Sequence, residues 1–86
     1  MAKTNYSPTF PMYPGDAAAV TTGDTSASNF ITPSVVYVGG GGNVKVTTAQ
    51  GSDVTFSNVL SGTVIPVQVL RVWTTGTTAT LMTRVY

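Results

Sequence analysis

Three aspartates are the main candidates for chemistry in this chain, which contains no histidine and no cysteine. The missing residue types exclude Ser-His and Cys-His nucleophile pairs and leave few ligands for zinc. Two carboxylates could still hydrolyse a glycoside. Asp16, Asp24 and Asp53, however, each follow Gly or Ser in turn-like sequence, where Asp commonly bonds to the backbone. We therefore predict that the protein is not an enzyme and has no cofactor or metal site.

Two other patterns could bind ligands. The tract Gly39–Gly42 suggests a phosphate loop, but such a loop needs a Lys-Ser/Thr pair opening a helix, whereas Asn43 opens a strand here. We interpret the tract as a turn. Lys45, Arg71 and Arg84 lie on different predicted strands, and the net charge is only +1, so no nucleic-acid or anionic membrane partner is expected.

The aromatic residues leave one binding function open. Trp73, Tyr37 and Tyr86 could form a platform for sugars, as in carbohydrate-binding β-sandwich modules. A Trp at the end of a long strand can equally cap the core. No apolar run approaches the roughly 20 residues that cross a bilayer, and the N-terminus lacks the pattern of a signal peptide.

No segment shows the apolar period of a helix, so we expect short β-strands to position the candidate catalytic and binding residues. The fold class predicted is all-β, a small antiparallel β-sandwich or jelly-roll-like barrel of about six strands. The predicted strands are 18–21, 35–38, 43–48, 53–59, 63–73 and 78–86, with a β-hairpin formed by 44–48 and 54–58. A break is expected at Pro66, because proline cannot donate a ladder hydrogen bond.

Alternation within these strands predicts the core. Its expected members are Val36, Val38, Val44, Val46, Val54, Phe56, Val67, Val69, Leu81 and Val85.

Residues 1–15 differ from the domain that follows, which is assigned to residues 16–86. Prolines at positions 8, 11 and 14 predict an extended arm. The arm is too apolar for an ordinary disordered tail, so we expect it to cover another surface, either its own domain or a neighbouring chain. The residues predicted to make interactions are Tyr6, Phe10, Met12, Tyr13 and Trp73.

Charged residues make up only 8% of the chain, against about 25% in ordinary soluble domains. A surface of Thr and Ser can be covered by other subunits without desolvating ions. With 86 residues and no disulfide, the domain has a thin core of its own. These features predict a homo-oligomer, although a secreted Thr-rich β-domain would share the composition.

From Tyr37 onward the sequence contains the segments Tyr37-Val38-Gly39, Val44-Lys45-Val46-Thr47-Thr48, Val54-Thr55-Phe56, Gly62-Thr63-Val64-Ile65-Pro66-Val67, Arg71-Val72 and Thr75-Gly76-Thr77-Thr78-Ala79. In these segments the sequence resembles the spike-base proteins of tailed phages and gene transfer agents. The resemblance extends more loosely back to Ala17, and residues 1–15 fall outside it.

The resemblance implies a structural virion protein, a spike base or decoration protein on the capsid surface, made late in the host cytoplasm. Its implied partners are the major capsid protein, a spike or fibre protein, and copies of itself, with a pentamer favoured over a trimer. The alternative function is that of a carbohydrate-binding module.

Overall fold

Six antiparallel strands form one continuous sheet in residues 15–86, the part of the chain that the computed structural model describes. The strands are β1 (Ala17–Ala19), β2 (Ser34–Gly40), β3 (Gly42–Thr48), β4 (Asp53–Val59), β5 (Thr63–Val72) and β6 (Thr80–Val85), and a 3₁₀ turn spans Ser26–Ser28. Their order across the sheet is β1-β6-β2-β5-β3-β4. The all-β prediction is therefore confirmed. Residues 1–14 lie outside the described part, so the division into arm and domain stays a prediction.

The β3–β4 hairpin was the clearest local prediction, and it is confirmed. Val44 lies opposite Phe56 and Val46 opposite Val54, so the apolar positions of the two strands share one face. The connecting turn places Gly51 at φ 92°, a conformation that glycine adopts without a steric penalty. Alternating β-branched residues and a glycine turn are sufficient to specify this unit.

The core lies on the inner face of the sheet and combines predicted and unpredicted residues. Val36, Val38, Val44, Val46 and Val69 are buried as expected, together with Phe30, Val59, Ile65, Val72, Ala79 and Met82. Phe56 and Val67 are partly buried against this cluster.

Two core predictions are wrong, and a third predicted member, Val85, is only half-buried and lies outside the core cluster. Val54 faces inward on the edge strand β4, where no further strand in the described part covers it, and it is 39% exposed. Leu81 points to the outer face and is 80% exposed, while Met82 takes the inward position opposite Val38.

Left-handed residues explain two of the places where simple alternation fails. Leu81 has φ 54° and Asn58 has φ 56°. Near each of them two buried residues are separated by an odd number of positions, Ala79 and Met82 in one case and Phe56 and Val59 in the other. A residue in this conformation breaks the period of two and returns the next side chain to the core.

Strand β5 continues through Pro66, although a break was expected there. β5 lies between β2 and β3: residues 63–65 and Val69 pair with β2 on one side, and Val69, Arg71 and Val72 pair with β3 on the other, while Pro66 is in neither set of pairs. The pairing with β2 is irregular between Ser34 and Val36. A proline in a sheet lies at an edge, at the start of a strand or at a bulge, and here it lies at an irregularity inside β5.

The glycine tract belongs to strands rather than to a free turn, which corrects the sequence interpretation. β2 ends at Gly40 and β3 begins at Gly42. A Cβ at Gly39 would lie 2.5 Å from the Leu81 carbonyl oxygen, and one at Gly41 would lie 2.7 Å from that of Val59. The glycines are needed because neighbouring backbone passes too close for a side chain.

Candidate interaction surface

A polar cluster covers β3, β4 and β5 on the outer face of the sheet. At its centre Thr47, only 6% exposed, donates a hydrogen bond from Oγ1 to Asp53 Oδ1 at 2.7 Å. The same oxygen accepts from Trp73 Nε1 at 2.9 Å and from Arg71 Nη2 at 3.3 Å. We call Lys45, Thr47, Asp53, Arg71 and Trp73 the Thr47 cluster. One hydroxyl thus organises a carboxylate, an indole and a guanidinium through both its donor and its acceptor capacity.

Two cations of the Thr47 cluster lie against the indole ring. Lys45 Nζ is 4.2 Å and Arg71 Cζ is 4.7 Å from the Trp73 ring centroid, within the range of a cation–π interaction. Arg71 Nε is buried and has no hydrogen-bond partner among residues 15–86. A sugar that stacked on Trp73 would compete with these cations for the same π surface.

The third cation on the described strands is also paired with aromatic rings. Arg84 points inward from β6, opposite Val36, and its Cζ lies 4.4 Å from the Tyr86 centroid and 4.9 Å from that of Phe30. Its Nη1 donates to Ser34 Oγ at 3.2 Å. Arg84 also lines a cleft of about 300 Å³ beside Asn29 and the exposed Ile31. The aromatic contacts let an arginine occupy a core-facing strand position.

Each aspartate accepts hydrogen bonds near a turn or strand end. Asp16 Oδ1 accepts from the Ala17 amide at 2.8 Å, and Asp53 accepts from Thr47 as described. Asp24 Oδ1 accepts from the amides of Thr74 and Thr75 at 3.0 and 2.9 Å, and its Oδ2 accepts from the Thr75 hydroxyl at 2.7 Å. Hydrogen bonds from the Thr75 backbone and side chain, with that from Thr74, lower the pKa of Asp24.

These positions provide no concentration of acidic ligands. Within residues 15–86, no group of three or more His, Cys, Asp or Glu side chains could hold a metal ion. The same part of the chain has no helix of the length and apolarity needed to cross a membrane.

Threonines after Trp73 fasten the last loop to β3. Thr77 Oγ1 accepts from the Lys45 amide at 3.0 Å, and Thr78 Oγ1 accepts from the Asn43 amide at 2.9 Å. The Ala79 amide then donates to the Asn43 carbonyl at 3.1 Å. The Thr-rich sequence of this loop therefore has a structural role, which is to hold the loop beside the Thr47 cluster.

A largely exposed apolar surface also lies on the outer face of the sheet. Tyr37 on β2 is paired with Val64 on β5, and Leu81 on β6 lies next to Gly39. Tyr37 is 42%, Val64 50% and Leu81 80% exposed. We call these three residues the apolar patch. Leu60, in the adjoining β4–β5 turn, is also largely exposed.

The predicted interaction residues divide between described and undescribed parts. Trp73 lies in the Thr47 cluster, whereas Tyr6, Phe10, Met12 and Tyr13 lie outside the described residues. Trp73, Tyr37 and Tyr86 do not form a common platform, because Trp73 contacts Lys45 and Arg71 while Tyr86 contacts Arg84. Sequence reasoning did not identify Val64 as an interaction residue, and it assigned Leu81 to the core.

No protein-family model matches this chain, and no curated protein matches it. Among solved structures, the fold is similar to a chain in the capsid of a native GTA (gene transfer agent) particle, computed with C5 symmetry. The two chains are 28% identical with a TM-score of 0.72, and the match covers 85% of this chain and 83% of the other.

Proposed function

We propose that this protein is a structural component of a phage-like particle, located on the capsid surface as a spike base or decoration protein. The similarity to a chain of a GTA capsid carries the proposal, because it extends over 85% of this chain at 28% identity. That similarity supports a capsid-related structural role. The position on the outside of the shell and the spike-base role are our extension of it.

In this role the protein acts by contact rather than by catalysis. We propose that it binds the major capsid protein, assembles as a homo-oligomer and provides a seat for a spike or fibre. Five-fold symmetry is favoured, followed by three-fold. The low charge of the chain supports assembly, since uncharged Thr and Ser surfaces are covered at little desolvation cost. The apolar patch supplies area that a subunit or partner would remove from water.

Particle binding tests this proposal directly. Particles made without the protein should bind the purified chain, and image reconstruction should then show added density on the outer surface at symmetry-related positions. An unrelated β-sandwich protein of similar size serves as the control. Absence of binding, or density only inside the shell, would contradict a capsid-surface role.

The catalytic and sugar-binding alternatives are tested with the same preparation. We expect no glycoside hydrolysis and no change in Trp73 fluorescence on adding oligosaccharides. Hydrolysis that disappears in Asp24→Asn or Asp53→Asn would overturn the non-enzymatic assignment. Saturable binding of a sugar measured by calorimetry, lost in Trp73→Phe, would favour a carbohydrate-binding module.

A further inference from the structure

We propose that residues 1–14 of one copy dock on the apolar patch of a neighbouring copy. This inference rests on the homo-oligomer of the proposed function and names the surfaces that join its subunits. The acceptor is Tyr37, Val64 and Leu81, three apolar side chains on adjacent strands of one sheet face.

The acceptor surface has features that the fold of the isolated domain does not explain. Leu81 is held at φ 54°, which costs a non-glycine residue free energy, and yet its side chain is 80% exposed. Gly39, opposite it, is required because a Cβ there would strike the Leu81 backbone, so the Leu81 main chain packs directly against β2. The domain thus tolerates backbone strain at Leu81 while it presents an apolar side chain to solvent. This combination is expected of a contact surface.

The chemistry of the first 14 residues matches this surface. The segment carries Tyr6, Phe10, Met12 and Tyr13 with three prolines, and Lys3 is its only charged side chain. Proline-rich segments are recognised on aromatic-lined surfaces as polyproline helices. The patch offers Tyr37 with two aliphatic neighbours and no charged residue, so docking would desolvate no ion.

Adding the segment as a seventh strand fits the sequence less well. Edge strand β4 has free backbone groups on its outer side in the described structure. However, prolines at intervals of three fall alternately on the two sides of a strand. At least one of them would therefore face β4 without a donor. A side-chain contact on the sheet face does not require these donors.

The direction of the chain favours a neighbouring copy over the same copy. The Asp16 amide donates to the Tyr86 carbonyl and the Tyr86 amide to that of Asp16, both at 2.9 Å. β1 then runs from its pair with Val85 to its pair with Thr83, so the preceding residues are directed past Tyr86 and off the end of β6. Leu81 lies five residues back along β6, about 17 Å away in the opposite direction.

The reach of the segment permits this contact. Fourteen residues in a polyproline helix span about 43 Å. Donor and acceptor lie toward opposite ends of β6, so the contact joins different surfaces of successive copies. Such a heterologous contact closes a ring when the rotation between copies allows it.

Photo-cross-linking between distinguishable copies tests the inference. Because the chain has no cysteine, Thr9→Cys can be labelled uniquely with a benzophenone maleimide. Labelled protein is mixed with ¹⁵N-labelled unmodified protein, both free and bound to particles. We expect cross-links from the ¹⁴N arm to ¹⁵N chymotryptic peptides that contain Tyr37, Val64 or Leu81. The label placed instead at Ser52→Cys, in the exposed β3–β4 turn, is the positional control.

Acceptor variants make the test specific. Val64→Thr with Leu81→Asn should reduce the inter-copy cross-link about ten-fold while the domain remains folded by circular dichroism. Ile31→Ser removes an apolar side chain that is 97% exposed elsewhere, and should leave the cross-link unchanged. Cross-links only within one copy, only to capsid protein, or to no protein would each overturn the inference.

Particle binding separates this inference from the proposed function. If the acceptor variant lacks the cross-link and the wild type shows it, the arm contact stands even when neither protein binds particles, and only the capsid role fails. If wild-type protein binds particles without an inter-copy cross-link, the capsid role stands and the arm contact fails.

Discussion

The Thr47 cluster and the apolar patch both lie on the outer face of the sheet, but they are completed in opposite ways. In the Thr47 cluster, a threonine that is 6% exposed bonds to a carboxylate, an indole and a guanidinium of its own chain. In the apolar patch, Leu81 contributes little to the domain's own core and is strained. The first region stabilises the fold, and the second is available to another chain.

This difference shows how the protein uses its few charges. Lys45, Arg71 and Arg84 all contact aromatic rings of the same chain. These cations therefore serve internal packing, and their charge is partly shielded from solvent. Apart from the three exposed aspartates, the remaining described surface is neutral or apolar, which suits a subunit that is covered by others more than one that must stay dispersed.

Among the substitutions that compare the two regions, removing the Thr47 hydroxyl should have the largest effect on stability. Thr47→Val keeps the shape but leaves Trp73 Nε1, Arg71 and Asp53 without their common partner. A buried polar group that loses its partner costs about 1–3 kcal/mol, and we expect a loss of stability in that range. Chemical denaturation measures it.

Thr55→Val is the matched control for this prediction. Thr55 is exposed on β4 opposite Lys45, on the same face of the sheet. Its replacement should change the free energy of unfolding by less than about 0.5 kcal/mol. Equal effects at both positions would mean that the Thr47 hydroxyl contributes no more than an exposed one.

The indole should couple to the same hydroxyl. Trp73→Phe retains an aromatic ring for Lys45 and Arg71 but removes the Nε1 donor, and we expect it to cost about 1 kcal/mol. In a Thr47→Val background this part of the cost should disappear, because the hydrogen bond is already lost. Strict additivity in the double-mutant cycle would contradict a direct Thr47–Trp73 interaction.

In the apolar patch, a polar substitution at Leu81 should raise the stability of the domain rather than lower it. Leu81→Asn places a residue that tolerates positive φ at φ 54°, and it removes a side chain that is mostly in water. We expect the isolated domain to gain about 0.5–1 kcal/mol of stability. Val64→Asn, on the same surface but outside the left-handed region, should give no such gain. A destabilising Leu81→Asn would show that Leu81 supports the fold itself.

The sequence predicted those parts of the molecule in which alternation is uninterrupted. The β3–β4 hairpin follows from Val44, Val46, Val54 and Phe56 alone, and the number of strands follows from turn residues. The alternation pattern placed Leu81 on the wrong face of the sheet, because a leucine carries no sequence signal for positive φ. Asn58 carried a signal that could have been used, since asparagine is enriched in that conformation.

The Thr47 cluster and the apolar patch could largely not be predicted from the sequence, for a related reason. Thr47 and Trp73 are 26 residues apart, and their contact depends on the register between β3 and β5, which shifts between Thr47 and Thr48. Local residue propensities do not predict the register between strands that are far apart in the sequence. Arg84 was equally unpredictable, because an inward arginine is tolerated only with Phe30 and Tyr86 in place.

The smallest expected effect concerns Asp24, which fastens the turn that follows Trp73. Its pKa is lowered by the hydrogen bonds from Thr75 and Thr74, so the carboxylate form is favoured in the folded protein. A depressed folded pKa contributes stability above the unfolded value of about 3.9, and this contribution is lost as pH falls through the folded pKa. Asp24 is exposed, so solvent screening keeps the contribution small.

Melting temperatures of wild type and Asp24→Asn, followed from neutral to acidic pH, measure this contribution. Wild type should be more stable near pH 7, and the gap should narrow as the pH falls below about 4, because the wild-type carboxylate is then protonated and resembles the neutral amide. Thr75→Val, which retains the amide donor and loses the hydroxyl, should give a smaller gap that narrows over the same range. If the gap stayed constant across this pH range, the interaction would depend on the shape of the side chain rather than its charge. Asp24 would then belong with the neutral hydrogen bonds that fasten Thr77 and Thr78, and electrostatic support would be confined to the cations that contact aromatic rings.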